Sequence, residues 1–148
     1  MRIILLLALL CGCAALAPRA SAQTKTKIVP NEWLPALSPS IDNALRELKE
    51  TDTQGAMNQL SRNIADLTDA QLFIAYVRLY EKLPAKERAK LFEEQAQWLK
   101  KRPMIAKAGV ESKGGSLAPL EANNAEVTYA EKRLKELRAR LKAKGDDE

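Results

Sequence analysis

A carboxyl beside a hydroxyl is the first feature of this chain that could do chemistry. Glu111 and Ser112 stand just ahead of the glycine pair Gly114 and Gly115. A glutamate whose pKa is raised can protonate a glycosidic oxygen, but that work needs a deep sugar cleft. A two-residue match in a glycine-bearing loop supplies none, and a solvated carboxylate is expected. Glu93 and Glu94 are neighbours, hence about 100° apart around a helix, and cannot face one bond together. With no histidine in 148 residues, imidazole bases, Ser-His or Cys-His nucleophiles and His-ligated metals are excluded. No catalytic residue, cofactor or metal site is assigned, and the chain is read as a non-enzyme.

The cations raise a different possibility. Lys100, Lys101 and Arg102 form one cluster, and seven bases lie between Lys132 and Lys144. The first sits where cations offset a helix dipole; the second decorates a helix face interleaved with Glu131 and Glu136. Solvated faces explain both, so no nucleic-acid partner is expected. The loop Lys113, Gly114, Gly115, Ser116 is the place where a cation, a hydroxyl and a flexible glycine pair coincide between two rigid segments. It is the candidate partner-binding site. Trp98 borders an apolar face and is expected in the core.

These residues have to be positioned, and the N-terminus says in which compartment. Ile3 to Leu10 is an unbroken apolar run, followed by Cys11, Gly12 and Cys13 and interrupted by Pro18 and Arg19. That is shorter than the roughly 20 residues a spanning helix needs, and it ends in Ala20, Ser21, Ala22, a small-x-small site. Residues 1–22 are read as a signal peptide cleaved between Ala22 and Gln23, giving a periplasmic or secreted protein. The alternative is a lipoprotein box at Leu10 to Cys13, in which Cys13 would hold the chain on a membrane. Cleavage at Ala22 removes both cysteines, and with Arg2 and Arg19 gone the net charge falls from +5 to +3. Without disulfides, stability has to come from the core.

Residues 23–39 carry Pro30, Pro35 and Pro39 and read as an extended lead-in that Trp33 and Leu34 could pin to the body. Residues 40–148 read as one helical domain. Ser40 is an N-cap candidate for a helix with Ile41, Ala44, Leu45 and Leu48 inside. Met57, Leu60, Ile64 and Leu67 mark a second. Thr68 and Gln71 resemble a capping box opening a third, with Leu72, Tyr76, Leu79 and Leu83 as its stripe, widened by Phe73, Val77 and Tyr80. Pro84 precedes a fourth, in which Ala85, Ala89, Phe92, Ala96 and Leu99 repeat, and which Pro103 ends or kinks. Ser116 caps the last, with Pro119 in its first turn and Leu120, Asn124, Val127, Ala130, Leu134, Leu137 and Leu141 as a narrow seam. The expected fold is all-α, a bundle of about five helices with a long antiparallel C-terminal helical hairpin.

Two segments carry a family resemblance. Glu94, Gln95, Trp98, Leu99 and Arg102 resemble the E-Q-x-x-W-L-x-x-R helix of bacterial exported domains named after the lysozyme inhibitor LprI. Gly114, Gly115, Ser116, Pro119, Thr128, Arg133, Glu136 and Leu137 are similar to the G-G-S-x-x-P and T-x-x-R-x-x-E-L stretch that follows it. The likeness is clearest over residues 79–141. It implies a helical exported binding domain whose partner is a lysozyme or other envelope protein, with Glu94, Gln95, Trp98, Leu99, Arg102, Pro119, Thr128 and Arg133 as motif residues of structural role. Those domains usually carry a cysteine shortly after the tryptophan helix and another near the start of the last one. Pro103 to Ala106 and Asn123 to Glu126 hold no thiol here. The alternative function is structural: a periplasmic interaction protein whose C-terminal helix pairs with a partner or with itself.

The intact mass of the exported protein tests the leader reading. A chain beginning at Gln23 is expected, and a diacylated Cys13 would replace it with the lipoprotein alternative.

Overall fold

A computed structural model describes Leu34 and residues 37–145, and among these the fold is four helices and no strand. They are α1 (Leu37–Glu50), α2 (Gln54–Lys82), α3 (Ala85–Ala108) and α4 (Ala118–Lys142). The signal and most of the lead-in lie outside the described residues. The all-α expectation holds at this level, and the count of five gives way to four.

The second and third expected helices are one element. Nothing between Ala56 and Leu83 breaks a helix, and Thr68 does not cap one: its Oγ1 donates to the Ile64 carbonyl at 2.8 Å inside α2. A buried threonine whose hydroxyl is satisfied one turn back continues a helix instead of opening it. Gln71, its expected capping partner, reaches out to Ser38 Oγ on α1 at 2.9 Å. The cap of α2 is Thr53, whose Oγ1 accepts from the Ala56 amide at 3.3 Å. Two further caps also shift. α1 begins at Leu37, ahead of Ser40, and α4 is preceded by Leu117, with Ser116 outside it and Pro119 in its first turn. Pro103 does not end α3, which runs on to Ala108 and closes on the Gly109 amide bonded to Ile105 O at 3.0 Å.

α4 packs most extensively on α2 and also on α3, while α1 lies on α2. Its seam is thus buried within the chain: Ala130, Leu134, Leu137 and Leu141 join Leu72, Ala75, Leu79, Leu83, Leu91 and Trp98 in one core. The expectation that helix α3 alone would be the seam's main partner is corrected by this, because α2 is long enough to cover most of α4. Asn124, expected in the seam, is exposed; Asn123 takes the inward position and donates to Ser61 Oγ at 2.9 Å. Where α2 turns into α3, Arg88 donates to the carbonyls of Leu83 at 2.7 Å and Glu81 at 3.3 Å and lies over the Tyr80 ring. Carbonyls that the end of α2 leaves open are satisfied there by a side chain.

The face of α3 expected inside is not the one that packs. Its buried residues are Leu91 and Trp98, whereas Phe92 is 59 % and Leu99 52 % exposed. The reason lies one position away: Glu94, Gln95 and Arg102 turn toward α2 and α4 to meet charged partners there, and Trp98 turns with them.

α3 and α4 approach closely at one point. A Cβ built on Gly109 would stand 2.3 Å from the Ala125 Cβ, and that atom belongs to a rigid side chain. Gly109→Ala is therefore expected to force the helices apart and cost about 1–3 kcal/mol, typical of overpacking, read as a lower urea midpoint.

Candidate functional site

The motif residues form a polar ladder that fixes α3. Arg102 ties three helices, with Nη1 at 2.6 Å from Asp69 on α2 and Nη2 at 2.7 Å from Glu126 on α4. Arg62 approaches Glu126 as well, at 3.6 Å. Higher on α4, the buried Arg133 donates through Nε to Gln95 Oε1 at 3.2 Å and through Nη1 to Glu136 at 2.8 Å, with Glu94 at 3.6 Å from Nη2. Glu94 in turn accepts from Arg140 at 2.5 Å. Trp98 lies between these polar contacts, stacked on Tyr129 with ring centroids 4.9 Å apart and planes 4° from parallel. Thr128 donates to the Asn124 carbonyl at 2.9 Å within α4, and Pro119 is exposed in the first turn of that helix.

The electrostatics of the ladder differ between its two acids. Burial pushes the Asp69 carboxyl up, and its hydrogen bond and charge pairing with Arg102 only partly oppose this, so it titrates above its ordinary value. Burial also pushes Glu94 upward, but the hydrogen bond from Arg140 and the charges of Arg140, Arg133 and Lys90 outweigh it and hold the carboxyl below the usual range. Arg102 is held more firmly protonated than usual: burial works against its charge, and Asp69 and Glu126 overcome that.

The loop between α3 and α4 is tied at both ends. Ser112 donates to Glu121 Oε2 twice, from its amide at 3.0 Å and its hydroxyl at 2.6 Å, and these two bonds hold the Glu121 carboxyl below its ordinary range. At the other end, Asn58 Nδ2 on α2 donates to the Ser116 carbonyl at 2.8 Å. Between the ties, Lys113, Gly114, Gly115 and Ser116 are exposed, and both glycines have φ of +92°, which favours glycine over any side chain. The sequence had marked this loop but not Asn58 or Glu121, since neither belongs to a recognisable pattern. Glu111 is exposed in the same loop. Among the described residues no group of acids and cysteines is arranged to hold a metal ion.

A second feature went unread. Leu72, Phe73 and Tyr76 of α2 and Phe92, Ala96 and Leu99 of α3 line an apolar groove of about 370 Å³, with the Asp69 and Arg102 pair among its walls. Phe73, expected to widen a core stripe, is 64 % exposed at its rim. The loop and the groove are separate: none of Lys113 to Ser116 lines the groove.

The described residues thus form an all-helical fold with charge-fixed helices and an anchored, glycine-tipped loop between α3 and α4. Residues 46–137 match the family described as lysozyme inhibitor LprI, and the chain belongs to that family. No curated protein and no solved structure matches it.

The pKa directions give a test with a definite sign. A carboxyl lowered in the folded state contributes stability above its unfolded pKa and loses it as pH falls through the folded one. Glu94→Gln should lower stability at neutral pH by about 1 kcal/mol, and urea midpoints should show that difference closing as pH falls below about 4. Asp69 has the opposite sign: its raised pKa costs stability as pH rises from its unfolded to its folded value.

Proposed function

We propose that this chain is an exported, non-catalytic binding protein of the bacterial envelope that inhibits a lysozyme or another cell-wall glycosidase through the loop Lys113 to Ser116. Membership of the LprI family is the observation that carries the reading. The loop's construction supports it. Its tip is exposed and its ends are held by Glu121 and Asn58, so little ordering is left to be done on binding. In a glycosidase cleft, the Lys113 ammonium and the Ser116 hydroxyl would meet the two catalytic carboxylates, a cation and a donor facing acceptors. The attraction has to be local, because a chain at +3 gains nothing at long range from the basic lysozymes.

The reading in which the C-terminal helix pairs with itself or a partner has less support, since the apolar seam of α4 lies in the chain's own core. No described helix is long and apolar enough to cross a membrane, and residues 1–22 serve as the export signal in this reading.

Lysozyme assays on the chain from Gln23 onward test the proposal. Inhibition is expected, with Lys113→Ala weakening it roughly tenfold, the loss of one charge-assisted contact worth about 1.5 kcal/mol. Unchanged lysozyme activity at a large molar excess, across glycosidases of different classes, overturns it.

A further inference from the structure

Phe92, Ala96 and Leu99 recur at four and three residues along α3, the spacing of a helix face that packs. Contacts with α4 hold Glu94, Trp98 and Arg102, so that face is left looking at Phe73 and Tyr76 of α2 across an open groove. Four of the chain's seven aromatic side chains, Phe73, Tyr76, Phe92 and Trp98, line it. Contiguous exposed aromatic and aliphatic groups on a small domain mark a surface that binds something.

The dimensions choose among occupants. Phe73, Phe92 and Leu99 are each more than half exposed and offer on the order of 300 Å² between them, at roughly 200 Å² for a large side chain. A stable dimer buries about 800 Å² per copy, which rules out a second chain as the natural cover. From Phe92 to Arg102 the groove follows α3 for about 15 Å, and its 370 Å³ spread over that length leave a channel about 5 Å across. A partner helix, roughly 10–12 Å wide with its side chains, does not enter. A single hydrocarbon chain does, and the volume holds roughly a dozen water-sized groups at about 30 Å³ each.

The two ends differ in charge. At one, Arg102 is met by Asp69 at 2.6 Å and Glu126 at 2.7 Å, which cancel it. At the other, Arg88 precedes Phe92 by four residues and so stands one turn further along the same face of α3. Its guanidinium lies over the Tyr80 ring, 5.1 Å from the centroid, and that ring is 6.1 Å from Tyr76 in the groove wall. The hydrogen bonds of Arg88 go to the uncharged carbonyls of Leu83 and Glu81 and use two of its five N–H donors, so they leave its charge in place. The acids that precede it have cations of their own: Glu81 meets Arg78 at 3.7 Å and Glu87 meets Lys144 at 3.3 Å.

We propose that the groove binds a long-chain carboxylate of about a dozen carbons, its tail between Phe73 and Phe92 and its head group on Arg88. A guanidinium presents a planar fork that suits both oxygens of a carboxylate. Each methylene removed from water strengthens binding roughly fourfold.

Calorimetric titration of the chain from Gln23 onward with dodecanoate, kept below its micellar concentration, is expected to show one site. Octanoate, four methylenes shorter, should bind at least tenfold more weakly, and so should dodecyltrimethylammonium, which has the same tail and the opposite charge. Arg88→Gln should weaken dodecanoate roughly tenfold, whereas Lys113→Gln, the same change in net charge outside the groove, should not. Because Arg88 also holds carbonyls at the end of α2, Ala96→Phe supplies a second variant: it fills the channel from an exposed position and should abolish binding at an unchanged urea midpoint. Equal affinity for the two twelve-carbon ions, binding that survives Ala96→Phe, or many molecules bound per chain overturns the proposal. No arm of the experiment involves a glycosidase, so inhibition by the loop stands or falls separately.

Discussion

Arg102 is the contact on which the arrangement of helices depends. It sits on α3, grips Asp69 on α2 and Glu126 on α4, and is only 18 % exposed. A charge in such a place is tolerable while both acids are present, and costly once it is stranded. Rotating α3 about its axis by one residue would bury Phe92 and Leu99, as hydropathy alone would prefer. It would also pull Arg102, Glu94 and Gln95 off their partners and break the stack of Trp98 on Tyr129. The polar ladder therefore decides which face of α3 is inside, and the apolar stripe is left at the groove as a consequence.

That competition also explains what the sequence disclosed. The seam of α4 was legible because Ala130, Leu134, Leu137 and Leu141 are apolar residues at packing spacing with nothing polar competing for the same face. The end of α2 was legible for a similar reason, through Leu72, Leu79 and Leu83. On α3 the same reasoning selected the stripe that packs least, because a buried Glu or Arg is worth its place only if a counter-ion waits on another helix. Periodicity within one segment carries no information about that. The merging of two expected helices into α2 has a more local cause: a Thr and a Gln three residues apart read the same whether they cap a helix or sit inside one. Of the candidate site, the glycine pair and its flanking cation were visible, whereas the ties that anchor the loop, Asn58 and Glu121, depend on contacts across 58 and 9 residues.

The family resemblance implies a disulfide between the neighbourhoods of residues 103–106 and 123–126, where this chain has no thiol. The structure places other contacts in the same region. Arg102 meets Glu126 at 2.7 Å, and Gly109 lies against Ala125 closely enough that no Cβ fits between. The two kinds of link act differently. A disulfide stabilises mainly by restricting the unfolded chain, typically by about 2–4 kcal/mol, and is indifferent to salt and to acid. An ion bridge acts only in the folded state, weakens with salt and fails when its carboxylates are protonated. The bridge can hold α3 in register, but it cannot make up a deficit in the core. The weight falls on Leu79, Leu91, Leu137 and Leu141, the largest fully buried side chains of the described residues. The contribution of the Arg102 bridge to stability follows pH and ionic strength, as that of the leucine core does not.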